Sequence, residues 1–484
     1  MDTDKALALN HRLISRPPRP HPAPHSITRW DFLARVAAAS WLVGSPWIIP
    51  ASARGANGTV PPSERINVGL IGRGTMGNGH LRVLLGSQEA QLLAICDVDR
   101  VRCEEGRRIA DETYAAARTS GTYRGCTAYN DYRDLLARAD IDAVVIVTPD
   151  HWHTLLSIDG VKAWKDVYCE KPVSLTIQEG RRLVETVRRY GRVLQTGTQY
   201  RSIPRIRQVC EFVRRGGLGR VKSVFTNWRA VVIPTLGPSY VPLDPALPAE
   251  PVPEGLDWDL WVGPAAWRPY NRLYHRNPPP GVVPWGFCEA FGAGAVTSYQ
   301  SHAADVIQYA LGVETGGPVE IIHPSTGQFP TLTFRYANGT LLHHVDDWKM
   351  VKEVYKAVPA NARLAGLFGG VFVGERGWVT SMSGSGSGPI EGGPEELFGE
   401  LKLRSREESM VNHHHANWFE CIRTRRQPSA HEEIGHRSAS LGHVAIIAYK
   451  LGRSLKWDLA KEEFPGDDEA NRLRSRALRE PWRM

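Results

Sequence analysis

Gly72, Gly74 and Gly77 stand in the G-x-G-x-x-G spacing, after the apolar run Ile66, Val68, Leu70 and Ile71 and ahead of a helical pattern over 80–85. The spacing has a mechanism. Gly72 permits a tight turn, Gly74 lets the backbone approach a pyrophosphate, and Gly77 lets the next helix pack closely on the strand. The phosphate would rest on the free N–H groups and positive dipole end of that helix, with Thr75 and Met76 in the same turn. A second apolar run over 91–96 ends in Asp97, about 20 residues beyond Gly77, where a carboxylate binds the hydroxyls of an adenosine ribose. A glycine-rich turn without a ligand is the alternative; strand, glycines, helix, strand and acid in one register argue against it.

The elements that must position these residues alternate. Helical patterns over 103–117, from 129, over 155–163 and over 177–190 are interleaved with apolar runs over 143–148, 166–169 and 192–196. Near-continuous apolar runs are what strands buried on both faces need, so this half is expected to be a doubly wound parallel sheet. Ligands of such sheets bind beyond the carboxyl ends of the strands. The glycine turn, Asp97, the segment 148–153 and the segment 170–172 all follow strands and should converge on one crevice.

The second half carries a helical pattern over 206–215, a strand over 221–230 and a Pro-rich loop over 234–253. Helices are expected over 297–311, 414–422 and 435–451, with a hairpin about Asn338-Gly339. Trp258, Trp261, Trp267, Tyr270 and Tyr274 either stack on a sugar or pack a core. The segment 381–393 reads as a Gly/Ser-rich loop, and the charged tail 466–484 as a strap over a neighbouring surface.

At 484 residues the chain has room for two domains. The net charge of +8 is scattered, without a basic stripe interleaved with aromatics, which argues against nucleic-acid binding. Seven cysteines without C-x-x-C spacing suggest neither a zinc ribbon nor a disulfide framework. Residues 1–53 read as a leader: a basic start, an apolar segment over 36–49 and the cleavage-like Ala51-Ser52-Ala53. It is similar to a twin-arginine export signal with Trp30 in place of the second arginine, and predicts a periplasmic or exported protein. A retained membrane anchor or a cytoplasmic protein is the alternative.

Gly72-x-Gly74-x-x-Gly77, Thr148-Pro149-Asp150-His151-Trp152-His153 and Tyr168-Cys169-Glu170-Lys171-Pro172 together resemble the glucose-fructose oxidoreductase / inositol dehydrogenase (Gfo/Idh/MocA) family, above all its exported bacterial branch. The likeness continues at Phe291-Gly292-Ala293-Gly294, His302-x-x-Asp305, 412–428, 433–438 and 451–458. It implies an α/β protein: a Rossmann domain over 64–197, then an α+β domain over 198–484 with a large, mostly antiparallel sheet. That sheet covers the crevice with one face and forms an oligomer interface with the other.

The resemblance also implies roles. Lys171 faces the substrate hydroxyl and the nicotinamide and takes the hydroxyl proton. Glu170 orients its loop or contacts the nicotinamide ribose. Thr148, Pro149, His151 and His153 lie against the nicotinamide, and Trp152 faces the substrate. Many members carry Asp-x-x-x-His; here the histidine is His302, but Ser298 stands at the aspartate position. Glu289 is a substitute acid on the substrate side. The cofactor is expected to be NAD, tightly bound, because Asp97 repels a 2′-phosphate, with Arg73 and Arg100 keeping NADP open.

No metal is expected. His151 and His153 have no third ligand at a suitable spacing, and His413, His414 and His415 point in different directions on a helix. The expected function is NAD(P)-dependent hydride transfer on a sugar, cyclitol or sugar derivative. The alternatives are an NAD-dependent glycosidase working by transient oxidation, elimination and re-reduction, and a non-catalytic sugar-binding protein on the same scaffold.

Overall fold

The computed structural model describes residues 64–484 apart from 122, 228–230, 234–236, 245, 276–284, 383–388 and 404–409. The leader, with its export and anchor readings, lies outside the described residues, as do parts of the strand expected over 221–230 and of the Pro-rich and Gly/Ser-rich loops.

Alternate residues of one strand face opposite sides of a sheet. In β4 (Ala143–Ile146), Ala143 and Val145 join one buried cluster while Val144 and Ile146 join another. Both faces are therefore covered, which explains the unbroken apolar run. The first sheet is parallel throughout and ordered β3-β2-β1-β4-β5-β6, with β1 (Ile66–Ile71), β2 (Ala90–Cys96), β3 (Thr127–Tyr129), β5 (Asp166–Cys169) and β6 (Leu194–Thr196). On one face lie α1 (Thr75–Gly86) and α2 (Arg100–Thr113); on the other lie α3 (Asp150–Lys162) and α4 (Ile177–Tyr190). The strand order reverses between β1 and β4, where doubly wound sheets open a crevice.

The second half builds α5 (Pro204–Arg214), β7 (Val221–Asn227) and a small hairpin of β8 (Val231–Ile233) and β9 (Gly237–Ser239). After α6 (Ser301–Leu311) come β10 (Pro318–Ile322), β11 (Thr333–Tyr336), β12 (Leu341–Val345), β13 (Val371–Gly374), β14 (Trp378–Thr380) and β15 (Gly392–Gly393). Then follow α7 (Met410–Thr424), α8 (Glu432–Leu451) and β16 (Leu455–Lys456). The eight-stranded sheet runs β15-β14-β13-β7-β12-β11-β10-β16 and is antiparallel except for β7 against β12. Val224, Phe334, Leu342 and Phe372 bury one face under α5, α6 and α8, while Phe225, Val345 and Val371 pack with Trp348, Val351 and Val358.

Two helices bind the layers together. The α7 residues Trp418 and Phe419 pack into the α1–α2 side of the first sheet. Helix α8 is buried almost from end to end and touches both α4 and α6. A helix buried on all sides, rather than on one stripe, holds that central place. The described residues belong to one compact unit. The helix expected over 297–311 begins instead as a π-helical turn, Ala295–Tyr299, with α6 following from Ser301. The tail lies on this chain's own surface: Arg476 pairs with Glu179, Arg479 with Asp259, and Trp482 packs edge-on against Trp152.

Candidate active site

The glycine turn is shaped for an anion. Gly72 has φ +92°, and a side chain there would meet the Val147 carbonyl oxygen at 2.6 Å. A Cβ at Gly77 would lie 2.3 Å from the Gly72 carbonyl oxygen, whereas one at Gly74 would find no atom within 4 Å among the described residues. The first turn of α1 has no side-chain cap, so its N–H groups face that open space. Met76 is exposed there, next to Thr75. Thr148, past the end of β4, buries a hydroxyl with no hydrogen-bond partner among the described residues. This cradle fits a dinucleotide.

Asp97 follows β2 and accepts the Arg73 N–H at 2.7 Å and the Asp99 N–H at 2.9 Å. Burial pushes its carboxyl up, against those two bonds. The Arg73 guanidinium turns away to Glu105 at 2.7 Å, and Arg100 reaches Glu254 at 3.4 Å.

Beyond β5 the chain reaches Glu170, Lys171 and a cis bond to Pro172. Glu170 is buried. Its Oε1 faces His80 Nε2 at 3.0 Å and accepts from Gln199 Nε2 at 2.6 Å. His80 Nδ1 in turn faces His415 Nε2 at 3.2 Å, and Gln199 also donates to Tyr168 Oη at 2.8 Å. Burial opposes ionisation, yet His80 and the nearby Lys171 charge hold the Glu170 carboxyl down at about 2. Glu170 is thus an ionised anchor beside Lys171, whose own N–H it accepts at 3.3 Å.

Lys171 Nζ donates to the Ser298 carbonyl oxygen in the π-helical turn at 2.8 Å. One turn on, His302 is buried between the rings of Tyr200 and Phe368, with centroids 4.4 and 5.3 Å away. Burial and the Lys171 charge push its pKa well below the ordinary value, so the ring is neutral at pH 7. Its Nδ1 has no partner among the described residues, nor does the Asn227 side-chain amide or Gln300 Oε1. The Ser298 hydroxyl donates to Asp150, the first residue of α3. Asp150 Oδ2 also accepts the Ala293 N–H at 3.3 Å.

The structure therefore gathers Lys171, Ser298 and His302, with Glu170 behind them. The remaining residues expected here have partners of their own. His151 faces the carbonyls of Phe291 and Trp261 at 3.2 and 3.0 Å, and burial pushes it down to about 3. His153 faces the carbonyls of Pro172 and Thr148 at 2.7 and 2.8 Å. Trp152 is buried, and its indole N–H is given to the Trp261 carbonyl at 3.1 Å. Trp258, Trp261, Tyr270 and Tyr274 pack a core around Phe291, while Trp267 is exposed. Glu289 pairs with Lys450 at the surface rather than with His302. His414 faces Ser202 and the Thr196 carbonyl, and His415 faces His80, so neighbours in that histidine run serve different partners. Asp150, His80 and Gln199 had no site role in the sequence, and His415 entered only as a rejected metal ligand. Asp150 had a signal, sitting inside the Thr-Pro-Asp-His motif; the His80–His415 contact joins residues too far apart in sequence to carry one.

A classical parallel strand order, a glycine cradle at its switch point and an acid after the second strand define a dinucleotide-binding protein. Two family models agree: "Oxidoreductase family, NAD-binding Rossmann fold" matches residues 66–198, and "Oxidoreductase family, C-terminal alpha/beta domain" matches 242–359 and 400–484. The chain belongs to the Gfo/Idh/MocA family of NAD-binding oxidoreductases.

Similar proteins include a glycosyl hydrolase family 109 protein of Shewanella pealeana, 33% identical over 27% of this chain and 28% of that protein. Inositol 2-dehydrogenase 1 of Saccharopolyspora erythraea is 33% identical over 34% of this chain and 47% of its own. The chain thus spans between about a quarter and a half of these curated relatives. Among solved structures, an aldose-aldose oxidoreductase from Caulobacter crescentus with glycerol has TM-score 0.52 at 17% identity, covering 81% of this chain and 99% of its own. A WlbA dehydrogenase from Bordetella pertussis with NADH and UDP-GlcNAcA has TM-score 0.51 at 17% identity, over 81% and 99%. At these identities the structures share the fold. Among the described residues no helix is long and apolar enough to cross a membrane.

Proposed function

We propose that the protein is an NAD-dependent oxidoreductase that oxidises a ring hydroxyl of a sugar, cyclitol or sugar derivative. Residues 64–197 hold the nucleotide and 198–484 the substrate. The observation that carries this reading is the meeting of Lys171, from the strand-end crevice, with the turn that bears Ser298 and leads into the helix of His302. Bound in the cradle, NAD supplies the hydride acceptor. Lys171 then takes the hydroxyl proton, and neutral His302 offers its free Nδ1 to the same or an adjacent hydroxyl. Among the described residues the Asn227 side-chain amide and Gln300 Oε1 have no partner, which suits a ligand rich in hydroxyls. Asp97, with Arg73 turned to Glu105, favours NAD over NADP.

The test starts with denaturing the purified protein and identifying released nucleotide by mass spectrometry. Absorbance at 340 nm is then followed on adding free sugars and cyclitols. Lys171→Ala should lower turnover about 10²–10⁴-fold while the protein still binds NAD. A protein that binds no dinucleotide overturns the reading.

A second reading is a glycosidase that oxidises, eliminates and re-reduces around a retained NAD. Its support is the group of relatives named glycosyl hydrolase family 109 proteins and the absence of the motif aspartate at Ser298. Cleavage of a nitrophenyl glycoside with no net change at 340 nm would favour it. In either case we expect a homo-oligomer and export by residues 1–53, which sedimentation and the N-terminus of the secreted protein test. A non-catalytic sugar-binding role predicts instead that Lys171→Ala leaves biological activity intact.

A further inference from the structure

The first turn of α3 grips both segments of the site at once. Asp150 takes the Ser298 hydroxyl and the Ala293 N–H, which also donates to Ser298 Oγ at 3.1 Å. One turn on, His153 meets the Pro172 carbonyl at 2.7 Å and Thr154 donates to the Val173 carbonyl at 2.7 Å. Lys171 is held between these grips by its bond to the Ser298 carbonyl. Asp150 is 3% exposed and makes no ion pair among the described residues. A buried carboxylate without a cationic partner costs stability unless hydrogen bonds and nearby charge offset the lost solvation. Here burial pushes the Asp150 carboxyl up, and His153, the Ser298 hydroxyl, Lys171 and the Ala293 N–H act against that.

We propose that Asp150, acting through Ser298, supplies from the nucleotide half the carboxylate that the Asp-x-x-x-His motif lacks. It is a positioning residue. It fixes the turn whose carbonyl holds Lys171, and its charge faces the ammonium that forms as Lys171 takes the substrate proton. The proton passes from hydroxyl to Lys171 Nζ; Asp150 neither gains nor loses one. The other ionisable groups around Lys171 are Glu170 behind it, His302 on α6 and His153 on α3. None of these touches Ser298 Oγ, so the bridge is particular to Asp150.

The proposal rests on Lys171 as the base, and its test does not need turnover. Holoenzyme is pulse-labelled with isotopic acetic anhydride across a pH series, and Lys171 is quantified by mass spectrometry against exposed Lys461. Acetylation requires the neutral amine, and removing a nearby carboxylate makes that form easier to reach. Asp150→Asn should therefore move the Lys171 labelling profile to lower pH by about one unit. Asp150→Asn combined with Ser298→Asp, which returns a carboxylate to the motif position, should move it back. A single-variant profile that superimposes on the native one, or a shift that the double variant leaves unchanged, overturns the proposal. Where Asp150→Asn alone does not fold, the double variant decides: a folded double variant with native labelling supports the proposal, and failure of both to fold assigns Asp150 a purely structural role and overturns it. An enzyme whose turnover survives Lys171→Ala would sink the proposed function while leaving the labelling result readable.

Discussion

The three glycines of the cradle differ in what a methyl group would strike. At Gly77 it would press on the Gly72 carbonyl oxygen, backbone that cannot yield cheaply; at Gly74 it would enter open space above an uncapped helix start. Gly77→Ala is therefore expected to lower the melting temperature clearly, with NAD binding lost along with the fold of the turn. Gly74→Ala should leave the melting temperature unchanged and weaken NAD by about tenfold or more, because the pyrophosphate would need that space. Calorimetric titration with NAD beside thermal melts of both variants separates the effects. Equal melting and equal affinity in Gly74→Ala would exclude the cradle as the phosphate site. Residue chemistry at this scale was legible in the sequence where it depended on spacing. It was not legible for Glu289, whose partner Lys450 is fixed by packing alone.

At the scale of elements, α8 is held to α4 by charge as well as by apolar packing. Arg181 of α4 donates to Glu433 of α8 at 2.8 and 2.9 Å and to Glu462 at 2.7 and 3.1 Å. Arg437 and His436 reach the same carboxylates. Burial opposes their ionisation, but for Glu433 the Arg181 guanidinium wins, and for Glu462 the His436 and Arg181 bonds win, leaving both near about 2. Arg181→Ala would leave two buried carboxylates short of a partner. A loss of about 3–5 kcal/mol in urea unfolding is expected, since breaking a buried pair costs more than the pair itself stabilises. Because the folded carboxyls titrate below their ordinary 4.5, this stabilisation is present above that pH and is lost as pH falls toward about 2. The sequence showed both helices with good boundaries, α4 at its full extent. It did not show that they touch, because no local pattern records which of two helix faces meets which.

Over the whole molecule, buried histidines set the acid limit earlier than the carboxylates do. Burial holds His151 and His443 at about 3 and His343 and His414 at about 4, against an ordinary 6.5. Above 6.5 neither state binds these protons. Below it the unfolded chain takes them up and the folded chain refuses, so stability falls as pH drops from about 6.5 toward 3. Scanning calorimetry should show the melting temperature declining already between pH 6.5 and 5; a flat profile there would contradict these burials. The sequence by itself determined five of the six strands of the first sheet, the glycine cradle, Asp97 and the loop of Lys171, because each is written in a short run whose period or spacing fixes local geometry; the short edge strand β3, which ends where a helix is expected to begin, was not legible. Only the tertiary structure decided that α7 completes the first sheet's core, that Trp152 is wrapped by the tail, and that Asp150 meets Ser298. Those contacts join distant segments, and side chains find such partners through the packing of whole layers.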